Sequence, residues 1–198
     1  MLSQPAECSS TTAPVVDAPK LSPERLAKQC QAGSPEAFER LVEHYEKRIF
    51  NFLCQMTNNP HDAEDLAQET FLKAYHGIHR FDSAHGFSTW LFTIAKRTAY
   101  NHFRAARRRQ ELPREAETDF DDPSVLLEQK DEKASLWKIA RTLPRAQYES
   151  LWLRYGEGFS IAETAKIMRA NQIRVRVLLH RARKTLAKTL RAAHIEMK

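Results

Sequence analysis

Residues 160–191 read SIAETAKIMRANQIRVRVLLHRARKTLAKTLR, and this stretch decides the fold. Apolar residues recur at helical spacing from Ser160 to Met168, and a short turn follows at Arg169-Ala170-Asn171. A second helix then carries Arg174, Arg176, His180, Arg181, Arg183, Lys184 and Lys188. Two helices joined by a three- or four-residue turn, the second one basic, is how a helix-turn-helix sets a recognition helix against the DNA major groove. Between Phe159 and Lys198 there are ten Lys/Arg and only Glu163 and Glu196 as acids, a local +8 against +6 for all 198 residues. A solvated basic face on a helical domain accounts for the charge alone; the turn spacing is what adds the DNA reading.

Upstream, KASLWKIARTLPRAQYESLWLRYGEGFS (133–160) predicts two helices separated at Leu143-Pro144, with Gly156 and Gly158 leading into the helix-turn-helix. Residues 111–133 invert the charge: nine Asp/Glu face three Lys/Arg, and Pro113 and Pro123 break the segment. Such a stretch buries too little apolar surface to fold alone, so it reads as a flexible acidic linker or as a polyanion mimic. Before it, STWLFTIAKRTAYNHFRAARRR (88–109) predicts a long helix with an apolar stripe of Trp90, Leu91, Ile94, Ala95 and Phe103. Six Lys/Arg and no acid lie between Lys96 and Arg109. Aromatics interleaved with cations suit single-stranded nucleic acid. The same rings at helical spacing also read as core, and cations at a helix C-terminus also complement the dipole.

A loop at Phe81–Gly86 precedes that helix, and DAEDLAQETFLKAYHGI (62–78) predicts another. Asn58-Asn59-Pro60 separates it from a helix opened by Ser34-Pro35, whose broad apolar face includes Phe38, Leu41, Tyr45, Ile49 and Phe52. Ser22 as N-cap and Pro23 open the first helix. Residues 1–22, rich in Ser, Thr, Pro and Ala, read as a disordered tail. The chain is thus an all-α protein of two basic helical domains joined by an acidic tether.

Other chemistries find little support. Cys8, Cys30 and Cys54 form neither a CxxC pair nor a zinc-finger spacing, which argues for a reducing, cytoplasmic setting. No apolar run approaches the ~20 residues that span a bilayer, and the N-terminus lacks the basic and apolar regions of a signal peptide. Asp62, Asp65 and Glu69 share one helix face with Gln68 adjacent. That face reads as a solvated acidic surface, as a docking site for a basic partner, or as a metal site, although one helix offers a hard cation few convergent oxygens. No GxSxG, GxxxxGK or HExxH motif occurs, so no catalytic residue, metal ligand or cofactor is expected.

In combination, DAEDLAQETFLKAY, the Phe81–Phe87 loop, FSTWLFTIAKRTAYNHFR, LPRAQYESLWLRYGEGFSIAETA and VRVLLHRARKTL resemble the extracytoplasmic-function (ECF) group of the sigma-70 family. The resemblance spans about Gly33 to Leu190. It implies a promoter-recognition factor for bacterial RNA polymerase with a disordered tail over 1–22, sigma region 2 over 23–109, the linker over 110–132 and sigma region 4 over 133–198. It further implies that Asp62, Asp65, Leu66, Gln68 and Glu69 dock on core polymerase. Asp82, Ser83 and His85 would belong to a loop that captures a flipped −10 base. Trp90, Arg97, Asn101, Arg104, Arg107 and Arg108 would contact the −10 strand. Asn171, Gln172, Arg174, Arg176, His180, Arg181, Arg183 and Lys184 would contact the −35 duplex. An anti-sigma factor is the further expected partner, and no membrane insertion is expected. The chain departs from the family pattern at Arg97, often Asn, at Arg174, often Thr, and at Leu178, often Arg. The competing reading is a two-domain helix-turn-helix regulator that acts without polymerase. A more distant one is a metal-dependent nucleic-acid enzyme using Asp62, Asp65 and Glu69.

Overall fold

The computed structural model describes residues 21–110 and 132–196, and among these every regular element is helical. The 1–22 tail, apart from Leu21 and Ser22, and the acidic segment, apart from Gln110 and Glu132, lie outside the described residues. Four α-helices come first: α1 (Pro23–Gln31), α2 (Pro35–Thr57), α3 (Pro60–Gly77) and α4 (Phe87–Gln110). Then follow α5 (Glu132–Ala140), α6 (Arg145–Leu151), a π-helical turn (Trp152–Gly156), α7 (Ile161–Met168) and α8 (Gln172–Glu196).

The helix starts follow from their capping chemistry. Ser22, Ser34 and Asn59 each accept a backbone N–H of the turn they open, and a proline follows each at the first helical position. Ser160 and Glu163 form a complete capping box: Glu163 N donates to Ser160 Oγ (3.2 Å) and Ser160 N to Glu163 Oε2 (2.8 Å). The turn between α7 and α8 is closed by Arg169, whose φ of 50° places a non-glycine residue in the left-handed region. Asn171 Oδ1 then accepts Arg174 N at 2.7 Å and caps α8.

The π-helical turn was not legible in the sequence. It lets Phe159 N donate to Leu153 O (3.0 Å), and it lays Trp152 over Gly156 so closely that a Cβ there would meet the indole at 3.0 Å. A side chain at that position would need the indole to give by a few tenths of an ångström.

α1–α4 pack around Leu41, Tyr45, Ile49, Phe52, Leu91 and Phe92, all nearly inaccessible. α5–α8 close a second, smaller core around Tyr148, Leu151, Val175 and Leu179. The two units also pack on each other. Leu153, Phe159 and Ile167 join the first core, and the Phe159 and Phe92 rings meet edge-on at 5.0 Å.

Candidate nucleic-acid and polymerase-binding surfaces

On α3, Ala63, Leu66, Ala67, Thr70 and Ala74 face the core, whereas Asp65, Gln68 and Glu69 are exposed. Leu66, read from sequence as part of the docking surface, is 2% exposed. Its spacing puts it with Ala63 and Thr70, so it holds the helix in place and offers nothing to a partner. Asp62 is half-buried and lies 3.7 Å from His102 Nε2 on α4. Glu69 pairs with Lys73 at 2.5 Å along the helix surface. Among the described residues, no three His, Cys, Asp or Glu side chains gather as a metal site.

Two side chains missed in the sequence complete this surface. Leu72 is 60% and Tyr75 48% exposed, and both fall on the Gln68 side of α3, roughly opposite Ala63, Thr70 and Ala74 at 100° per residue. With Phe38, Phe50 and Phe71 they line an apolar groove of about 800 Å³ between α2 and α3. The signal was available: an amphipathic helix whose apolar residues exceed its inward face has apolar residues to spare for a partner.

The Phe81–Phe87 loop is held at both ends and exposed at its tip. Gln31 Nε2 donates to the carbonyls of Ile78 (2.9 Å) and Phe81 (2.8 Å). Phe87 N donates to Glu24 Oε1 (3.2 Å), and the Phe81 and Phe87 rings stack edge-on at 5.4 Å beneath the loop. Between them Asp82, Ser83, Ala84 and His85 are exposed. Asp82 Oδ1 accepts Ala84 N at 2.9 Å, while its Oδ2 lies 3.6 Å from His85 Nδ1.

α4 shows three faces. Leu91, Phe92, Ala95 and Ala99 point into the core. On the opposite side Arg97, Asn101, Arg104 and Arg108 are exposed at spacings of four, three and four, which makes them one stripe. Trp90 lies on the same line seven residues earlier, but its indole packs on Phe81 (5.4 Å) and Phe87 (5.5 Å) and is half-buried. Arg107 is exposed and turned away from that stripe by roughly a quarter of the helix circumference. The third face, Lys96, Tyr100 and Phe103, is covered by α6. Lys96 Nζ sits 2.6 Å from Glu149 Oε1, Tyr100 Oη donates to Glu149 Oε2 at 3.1 Å, and the Arg145 guanidinium lies 3.7 Å from the Phe103 ring centre. Burial, with the Glu149 carboxylate beside it, pushes the Tyr100 hydroxyl up to about 12.

On α8, Val175, Leu179 and Ala182 are buried, while Gln172, Arg174, Arg176, His180, Arg181, Arg183 and Lys184 are all exposed. Asn171 is exposed too, but its Oδ1 is committed to capping the helix. Arg183 Nε donates to Leu179 O at 3.3 Å, which holds that side chain along the helix.

Burial pushes the Cys54 thiol up to about 11 and raises Cys30 as well, so both stay protonated at neutral pH.

Residues 41–109 match Sigma-70 region 2 and residues 133–186 match Sigma-70 region 4. The chain is 32% identical over 182 residues to the ECF RNA polymerase sigma factor BldN of Streptomyces coelicolor, covering 89% of this chain and 69% of that one. This chain belongs to the ECF group of the sigma-70 family. Its function is that of a sigma factor in transcription initiation, and the regulator acting without polymerase is not favoured. The RNA polymerase sigma-H factor of Pseudomonas aeruginosa is 30% identical over 179 residues, with 84% and 93% of the two chains covered. CnrH, solved in complex with the cytosolic domain of CnrY, has the same fold, with a TM-score of 0.63 at 24% identity, covering 85% of this chain and 97% of that one.

A second ion pair joins the two units of this sigma factor. Arg48 Nε lies 3.0 Å from Glu157 Oε2, and Trp152 Nε1 donates to Glu157 Oε1 at 3.2 Å. Burial raises the Glu157 carboxyl above its ordinary value even against the pull of Arg48. A raised folded-state value means that its contribution is present below about pH 4.5 and is lost as pH rises through the folded value. E157Q, which stays neutral, is therefore expected to gain in stability on the parent between about pH 4 and pH 7 in urea unfolding. A parent that gained on E157Q over that range would show that the Arg48 pair outweighs burial.

Proposed function

We propose that α3 docks this sigma factor on core RNA polymerase through Asp65, Gln68, Glu69 and the adjoining Leu72–Tyr75 groove. In the same reading the α4 stripe and the Asp82–His85 loop engage the −10 strand, and α8 reads the −35 duplex. The observation that carries it is the separation of surfaces. The exposed acidic and apolar side chains lie together on α3, while the assigned cations stand exposed on α4 and α8, each opposite a packed face. Cations on α8 suit duplex phosphates and guanine edges. Those on α4 suit a strand whose bases are unstacked. The fixed loop ends and exposed polar tip suit capture of a flipped base by short side chains.

In this account residues 23–109 and 133–198 are the two functional units and 110–132 tethers them. The protein works in the cytoplasm and catalyses no reaction itself. Among the described residues, no helix is long and apolar enough to cross a membrane. An anti-sigma factor is its expected regulator; the sigma factor RpoE of Bartonella quintana was solved in complex with the anti-sigma factor NepR.

Two experiments test the assignment. D65A/Q68A is expected to weaken binding to core polymerase at least tenfold, because it removes the polar rim of the docking face. Both side chains are exposed, so the helical circular dichroism should be unchanged. Wild-type affinity in this variant would place the polymerase elsewhere. Exchanging residues 82–85 for another member's loop is expected to change the preferred −10 bases and leave the −35 preference intact. Unaltered −10 preference would remove the loop from the reading apparatus.

A further inference from the structure

Ile173 is 69% exposed, the most exposed large apolar side chain among the described residues, and Val177, one turn later, is 41% exposed. Each is two residues from the fully buried Val175, hence roughly 160° around the helix from it. The pair therefore stands at the centre of the outward face of α8. Arg176 and Arg183 flank it on one side and Arg174 and Arg181 on the other, all exposed.

Exposed helix positions with nothing to pack favour Ala, Lys or Glu over β-branched residues. A single exposed apolar side chain needs no explanation. Two in register on the first two turns, between rows of cations, form an apolar strip with a polyanion-binding border.

Resting on the reading that α8 enters the −35 major groove, we propose that Ile173 and Val177 read thymine through its 5-methyl group. That methyl is the one apolar feature a base pair shows in the major groove. The N-terminal turns of a recognition helix are the part that meets base edges. Four residues advance the helix by about 6 Å, a little under two base steps of 3.4 Å, so the pair spans two neighbouring or next-but-one base pairs. The Asn171 cap fixes the first turn and so the direction of Ile173. The cations alongside hold the phosphates and orient the helix without choosing a sequence.

The test uses holoenzyme reconstituted from the full chain and core polymerase. Duplexes randomised upstream of a mapped, chain-dependent start site are selected for binding. Each thymine of the selected motif is then replaced in turn by deoxyuridine, which lacks only the methyl. We expect thymine at two positions no more than two base pairs apart, each losing about fourfold in affinity on replacement. I173A and V177A should each abolish the sensitivity at one of these positions and leave that at the other.

Selected motifs without such thymines, tolerance of deoxyuridine, or unchanged sensitivity in both variants would overturn the proposal. So would variants that bind core polymerase poorly while deoxyuridine has no effect, since the strip would then face a protein. Failure to select any upstream motif is a different result: it would remove the DNA-reading role of α8 itself.

Discussion

Replacing Glu149 by alanine is expected to cost about 3–5 kcal/mol of the free energy that holds the two helical units together. Glu149 is 3% exposed, and its side chain joins Lys96 at 2.6 Å and Tyr100 at 3.1 Å across the contact. Lys96 retains 13% side-chain exposure, so removing the carboxylate strands an ammonium where water reaches it poorly. The size of the effect comes from that stranded charge more than from any net worth of the pair. Exchanging both partners for apolar residues, K96M/E149L, should therefore recover most of the loss. Hydrogen exchange of the α6 and α4 amides reads the result directly. E149A should raise exchange on the facing surfaces, and the double variant should restore protection. Equal protection in E149A and the parent would mean that the other contacts, Phe92–Phe159, Arg145–Phe103 and Arg48–Glu157 among them, hold the two units together without it.

Binding of the −35 duplex is expected to fall about a thousandfold when salt rises from about 50 to 200 mM. Six cations, Arg174, Arg176, Arg181, Arg183, Lys184 and Lys188, stand exposed along α8. With each neutralising one phosphate, the logarithm of affinity falls with a slope of about −5 against the logarithm of salt concentration. Single substitutions divide the set by role. K188A, far along the helix from the base-reading turns, should flatten the slope by about one and weaken all sequences alike. R176A should cost about 1–3 kcal/mol on the preferred duplex and relax preference at one position. Anisotropy titrations of holoenzyme over a salt series supply both readings; a slope shallower than about −2 would mean that most of α8 lies off the DNA.

The helix-turn-helix was readable because its signals are local. The predicted run from Ser160 to Met168 ends where α7 ends, and the turn placed at Arg169-Ala170-Asn171 is where the chain turns. The long α4 helix was readable for the same reason, whereas Arg97, Asn101, Arg104 and Arg108 were assigned through the family resemblance and fall on one stripe because they follow the helical period. What the sequence could not reveal depends on distant partners. Glu149 looks like any polar residue of an amphipathic helix until Lys96, 53 positions earlier, is placed against it. Leu66 was assigned with the whole docking segment that the resemblance implied, and helical geometry puts adjacent residues such as Asp65 and Leu66 on different faces. Leu72 and Tyr75 were passed over for the opposite reason, since large apolar residues on a periodic helix are first read as core.

The central claim is that this chain directs RNA polymerase to promoters through two separated DNA-reading surfaces. Mapping the 5′ ends of RNA made by core polymerase on genomic DNA, with and without the full chain, tests it most directly. The account predicts a set of chain-dependent start sites whose upstream sequences share two elements. The upstream element should be lost with R176A, and preference at the downstream element should change when residues 82–85 are exchanged. Start sites that are the same with and without the chain would contradict it.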